Sequence, residues 1–353
     1  MKKCLSFISV LLVVLCCVTS QDAFALPSVQ GTNITTTPIS VNLTGKPGHS
    51  VTTTLQVENN ESVPIRIGVQ LETFRPYGTS GQAQIYPGKA SDAFLKWVKF
   101  SKTSLVAQPN IWSPITMTIT LPATASMGYY YAVVFKPQTA ALPIKHNTES
   151  VKSGNAVLVL LNAQNGNEHP QLKVSKFSIN KKLFEFLPAQ FSVLIKNTGN
   201  IYLPPSGDIY ISRNPSGGNV IDTLPINPAA GNVLPGSSRL FRQSFADGFP
   251  VYVPKLVNGQ KITDKHGNVV QRLQWNFSNA KKFRFGKYYA KLVMVYNNGS
   301  MDIPTTAVVS FWVIPWKILS ISLLFVILAA VGLFGMGRKL VARAYHLSKK
   351  VRK

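Results

Sequence analysis

Cysteine is nearly missing from this chain, and the three that occur, Cys4, Cys16 and Cys17, all lie at its N-terminal end. The remaining residues can therefore build neither a disulfide framework nor a thiolate metal site. Acids are scarce too: 13 Asp and Glu stand against 37 Lys and Arg, for a formal net charge of +24. The five histidines, His49, His146, His169, His266 and His346, are isolated from one another. None has a partner at a metal-ligand spacing. No G-x-S-x-G elbow and no phosphate-cradling glycine loop occurs. An enzyme needs convergent ionisable groups, and this chain has few to converge. No catalytic residue, metal site, cofactor or small-molecule substrate is predicted.

Only 14% of the residues are charged, and Val, Thr, Asn, Pro and Gly are plentiful, a profile that suits extracellular β-structure. The long apolar run lies near the C-terminus. Residues 318–336 (ILSISLLFVILAAVGLFGM) carry no charge. As a helix rising about 1.5 Å per residue, they cover most of the ~30 Å hydrocarbon core of a bilayer. Trp316 and Lys317 flank one end, and Arg338 and Lys339 open a basic, acid-free tail at the other. Trp suits the headgroup zone, and the cationic side of a span stays in the cytoplasm. Residues 316–337 are thus predicted to be a transmembrane helix and 338–353 a basic cytoplasmic tail, in a single-pass protein of the cell membrane with its upstream domains outside the cell. Residues 1–25 read as a signal peptide: Lys2 and Lys3, an apolar stretch, then Ala23-Phe24-Ala25 as a cleavage site.

Between these flanks the chain reads as short strands separated by Pro, Gly and Asn turns. In the first half they fall at 39–43, 51–57, 65–71, 97–100, 115–121, 129–135 and 155–161. ITMTITL at 115–121 has the period of two of a half-buried strand. Residues 165–171 read as a linker, and the pattern then restarts at 172–179. FSVLI leading into Asn197-Thr198-Gly199-Asn200 echoes LQV leading into Glu58-Asn59-Asn60. Gly286 with Tyr288 and Tyr289 echoes Gly128 with Tyr129, Tyr130 and Tyr131. The expected fold is all-β: two tandem Ig-like β-sandwich domains, at 26–165 and 170–315, followed by a single C-terminal transmembrane α-helix. The stretch 246–274 reads as a hairpin insertion in the second domain, or as a long loop that carries binding.

One run interleaves cations with aromatics: 275–289, WNFSNAKKFRFGKYY. Lys281, Lys282, Arg284 and Lys287 are its candidate polyanion- or partner-binding residues. Strand alternation offers a plainer account of the run, with Phe283 and Phe285 inward and Lys282 and Arg284 outward.

The layout resembles that of the WxL-interacting cell-surface proteins of Gram-positive bacteria. The local resemblance rests on VTTTLQVENN at 51–60, GYYYAVVF at 128–135, AVLVLLN at 156–162, residues 191–200, and Leu234-Pro235-Gly236-Ser237-Ser238-Arg239. It implies a first domain associated with peptidoglycan and a second associated with partner or host ligands, and it carries over no binding residue. The reading is a non-enzymatic, membrane-anchored extracellular binding protein holding a cell-wall polyanion or another surface protein. The alternative is an assembly accessory or chaperone-like subunit that lends a strand edge to secreted surface proteins. Nothing in the residues specifies an oligomeric state.

Overall fold

The computed structural model describes residues 33–138 and 155–351, with side chains to residue 339. The predicted signal peptide, the three cysteines and His146 lie outside the described residues. The chain forms two β-sandwiches and a C-terminal helix, as the sequence pattern predicts.

The first sandwich is built from β1 (Ile34–Thr37), β2 (Ser40–Gly45), β3 (Ser50–Asn59), β4 (Ile65–Tyr77), β5 (Gln82–Tyr86), β6 (Val98–Phe100), β7 (Ser104–Ala107), β8 (Trp112–Thr120), β9 (Gly128–Pro137) and β10 (Asn155–Ala163). One sheet has the order β1-β3-β8-β6 and the other β2-β10-β9-β4-β5, with β7 also on β4. Alternation selects the core. Ile115, Met117 and Ile119 of β8 are fully buried, while the threonines between them are half-buried. Each such apolar side chain contributes roughly 1.5–3 kcal/mol on leaving water.

The second sandwich comprises β11 (Leu172–Ile179), β12 (Leu183–Phe184), β13 (Ala189–Asn197), β14 (Ser206–Ser212), β15 (Val220–Pro225), β16 (Ser238–Phe245), β21 (Gly286–Asn297) and β22 (Asp302–Val313). Its sheets run β11-β13-β16 and β12-β22-β21-β14-β15. The larger sheet repeats the order of its counterpart in the first sandwich. Each opens with a short edge strand paired in parallel, β2 on β10 and β12 on β22. The repeat seen faintly in the sequence is therefore a repeat of topology.

The echo between residues 51–60 and 191–200 has a physical basis. Asn59 and Asn197, each the last residue of its strand, are fully buried. Asn59 Nδ2 donates to Val63 O (2.8 Å) and Ala107 O (3.0 Å), and its Oδ1 accepts from Glu61 N (2.9 Å). Asn197 donates to Ile201 O and Val233 O (both 2.8 Å) and accepts from Gly199 N (2.8 Å). In each sandwich one amide satisfies three backbone groups that leave the ladder at the strand's end.

The 246–274 stretch folds as the expected hairpin insertion. It consists of β17 (Val251–Pro254) paired with β20 (Gln271–Gln274), and the small pair β18 (Leu256–Val257) and β19 (Gln260–Lys261). At its tip the Asp264 carboxylate accepts from the N–H groups of His266 (2.8 Å) and Asn268 (2.9 Å). The backbone hydrogen bonds hold Asp264 below the usual carboxylate range. The linker is held in place: His169 N donates to Asn200 Oδ1 (2.7 Å) and Asn200 Nδ2 to Asn167 O (2.9 Å).

One α-helix among the described residues, α1 (Trp316–Val351), follows β22 after only two residues. Its segment Trp316–Lys339 is long and apolar enough to cross a membrane, and none of its apolar window is buried.

Candidate functional site: the cleft between the sandwiches

Strands β9 and β10 are near-continuous apolar runs because both of their faces are covered. Val133, Phe135, Val157, Val159 and Leu161 point into the first core. Ala132, Val134 and Leu160 point the other way, where with Phe74 they pack against Tyr202 and Leu234 of the second sandwich. Tyr202 OH donates to Leu43 O across this contact (3.2 Å). Burial pushes its phenol up to about 12. Asn232 Nδ2 donates to Asn42 Oδ1 (2.8 Å), and Leu240 N to Thr79 O in the β4–β5 turn (2.8 Å).

Beside this contact the sandwiches leave a cavity of about 310 Å3. Ile39, Phe74, Leu158, Leu160 and Leu234 give it apolar walls, and Ser40, Asn42 and Arg239 add polar groups. Arg239, on β16, is half-buried, and burial lowers its guanidinium below the ordinary value. It lies over the Phe241 ring (5.3 Å) and donates to Asn232 O (3.0 Å). No carboxylate pairs with it among the described residues. Glycine lies on both sides of its guanidinium. A Cβ at Gly81 would lie 2.4 Å from Nε, and one at Gly231 would lie 2.4 Å from Nη1. Gly81 also has a φ of +80°, which disfavours a side chain there.

The other wall of the cleft is an open sheet edge. Among the described residues β2 pairs with β10 on one side and with no strand on the other. Leu158 N donates to Ile39 O (3.1 Å) and Gln164 N to Gly45 O (2.8 Å). In a parallel ladder this phase turns the odd-numbered residues of β2 toward β10, and the N–H and C=O of Ser40, Asn42 and Thr44 outward. Outward backbone groups beside a partly apolar cavity can hold an added strand, with the cavity receiving one of its side chains.

The sequence-predicted cations are placed elsewhere, at the far end of the second sandwich. Residues 277–282 form a 3-10 turn (Phe277–Lys282), so the alternation expected of a strand is broken. Phe283 and Phe285 are both 47% exposed, whereas Arg284 is tucked in, the reverse of the alternating expectation. Arg284 donates to Asp247 through Nη2 and, at 2.8 Å, to its backbone carbonyl through Nε. Lys282 pairs with the same carboxylate (2.6 Å). Lys287 lies over the Tyr289 ring (5.1 Å). Lys281 stands exposed in the last turn of the 3-10 helix. The four therefore do not form one free basic patch. Of the anchor residues, Trp316 and Lys317 open α1, with Lys317 paired to Glu185 (2.7 Å), and Arg338 and Lys339 lie at the other end of the apolar stretch. The tyrosines divide as strand geometry requires: Tyr131 and Tyr288 are core residues, and Tyr130 lies in the contact between the sandwiches. Among the described residues no group of three His, Cys, Asp or Glu side chains is placed to hold a metal ion. Nothing in the sequence singled out the cleft, because its walls come from six separate stretches of chain.

No family model matches the chain, and no curated protein matches it. Similar solved structures include a chain of a chaperone–tip adhesin complex of CFA/I fimbriae biogenesis, at 19% identity over 69% of this chain and 98% of that one, with a TM-score of 0.35. The class 5 fimbriae chaperone CfaA is 16% identical over 79% of this chain and 99% of its own, with a TM-score of 0.33. The E. coli chaperone DraB is 10% identical over 80% of this chain and 97% of its own, with a TM-score of 0.32. Likenesses at this level assign neither an activity nor a partner.

Proposed function

We propose that this chain is a non-enzymatic, membrane-tethered assembly subunit. It acts in a chaperone-like way by offering the open edge of β2 to an extended segment of a secreted surface protein. The observation that carries the reading is the juxtaposition of that edge with the cleft cavity. Main-chain hydrogen bonds along Ser40, Asn42 and Thr44 would supply affinity, and the pocket beside Leu158, Leu160 and Arg239 would supply selectivity. In this reading α1 spans the cell membrane, the sandwiches stand outside it, and the basic tail lies in the cytoplasm. The wall-polyanion reading has less support, since Lys282 and Arg284 are both already paired with the Asp247 carboxylate.

Ser40→Pro tests the proposal. It removes one outward N–H but no ladder bond to β10, and edge strands tolerate proline at such positions. A secreted partner co-purified with the full chain should protect the amides of Ser40, Asn42 and Thr44 from hydrogen exchange and survive high salt. Ser40→Pro should release it with no change in Tm. Unprotected β2 amides in the complex, or retention of wall polymer alone, would refute the reading.

A further inference from the structure

We propose that the end of the second sandwich from which α1 departs is itself a bilayer-docking surface, seating exposed aromatic and basic side chains among anionic lipid headgroups. The inference rests on α1 being the membrane span.

Three stretches meet at this end. Gly286 lies opposite Val313, and Leu183 and Phe184 lie opposite Trp312 and Val313. Trp312 N donates to Lys182 O and Ile314 N to Phe184 O (both 2.8 Å). The segments before Gly286 and after Leu183 are thus held at the level where the chain enters α1. The insertion hairpin is tied to the same place. Tyr252 N donates to Leu187 O (2.8 Å) and Phe249 N to Lys282 O (3.1 Å). Glu185 joins hairpin to helix, accepting from Tyr252 OH (3.3 Å) and pairing with Lys317 of the first turn of α1 (2.7 Å).

This end is unusually apolar for a surface. Trp275 packs on Phe186 and Phe249, and Phe249 on Phe277, as a ring cluster with centroids 5.4–6.3 Å apart. Among the described residues the cluster is not closed over: Phe277 is 71% exposed and Trp275 47%, and the half-exposed Phe283 is bridged through its backbone to Phe249, with half-exposed Phe285 two residues on. Trp312 and Trp316 continue the exposed aromatics to the helix. Trp is enriched at membrane interfaces, where its ring leaves water and its N–H stays wet, and the exposed Phe rings add apolar area that can leave water with it.

The charge pattern agrees. The segments that meet here carry Lys181, Lys182, Lys281, Lys282, Arg284, Lys287 and Lys317, against Asp247 and Glu185. Both acids are paired with cations of the same group. The positive excess complements an anionic headgroup layer. Because only Ile314 and Pro315 separate β22 from α1, an inserted helix brings this face to the bilayer with little added entropy cost.

The test is quenching of tryptophan emission by lipids brominated near the headgroup, with the full chain reconstituted in bilayers containing phosphatidylglycerol. One variant retains only Trp316, another only Trp275, the remaining tryptophans being Phe. If either folds poorly, the difference between the full chain and Trp275→Phe gives the same readout. Both tryptophans should be quenched to a comparable extent. Lys281→Glu with Lys287→Glu should cut the Trp275 quenching and leave that of Trp316. Quenching of Trp316 without Trp275 would overturn docking alone, as would shielding of Trp275 only when a protein partner is added. No quenching of Trp316 would overturn the span, and docking with it.

Discussion

Asn59 and Asn197 show how much one buried side chain can hold. Asn59→Ala would strand Val63 O, Ala107 O and Glu61 N, and should cost about 1–3 kcal/mol. Asn197→Ala should cost the second sandwich a similar amount, read in each case as a lowered Tm of the full chain in detergent. Both residues stand in what the sequence shows as turn composition, and a turn Asn cannot be told from a buried one without knowing which carbonyls surround it. Asp247 gives a pH prediction. Burial raises its carboxyl, but hydrogen bonds and charge from Lys282 and Arg284 outweigh this and hold it below the ordinary 3.8. A depressed folded value contributes stability above the unfolded value and loses it as the carboxylate protonates. Asp247→Asn should therefore be less stable than the parent at pH 7, and the gap should close as pH falls below about 3.8. A gap that persists in acid would mean that the loss comes from packing.

At the scale of elements, β16 and the β4–β5 turn are coupled through Arg239, which passes between Gly81 and Gly231. Gly231→Ala should displace the guanidinium, and the lost bond to Asn232 O should lower stability by about 0.5–1.5 kcal/mol. In an Arg239→Ala background the same change should be nearly neutral, a non-additivity of about 0.5–3 kcal/mol in a double-mutant cycle. Additive losses would show that the glycine is needed for its backbone alone. Most strands were legible as period-two runs. β16 was not, because Arg239, Arg242 and Gln243 interrupt its apolar pattern and only Phe241 and Phe245 are buried. The run 275–289 misled for a related reason. Its cations and rings alternate on paper, but a 3-10 turn occupies part of it, so the pleat that would sort them is absent.

For the whole molecule, the contact between the sandwiches decides whether the cleft exists. Tyr202→Ala removes the ring that packs on Leu160 and the hydroxyl that bonds Leu43 O. Its expected cost is about 2–5 kcal/mol, by the large-to-small rule. The clearest readout would be a broadened distribution of sandwich-to-sandwich distances in small-angle scattering of the full chain. An unchanged distribution would show that the backbone bond from Leu240 to Thr79 and the linker hold the elbow without it.

The sequence alone determined the all-β class, the two tandem units, the apolar C-terminal helix and the absence of cysteine from the sandwiches. Each of these is written in contiguous residues, as a period, an uncharged run or a composition. Tertiary structure decided the rest: which cations are free and which are spent on Asp247, which strand edge stays open, and that Arg239 faces a cavity between two glycines. Those facts depend on sheet register and on the docking of one sandwich against the other, which bring together residues up to 190 positions apart.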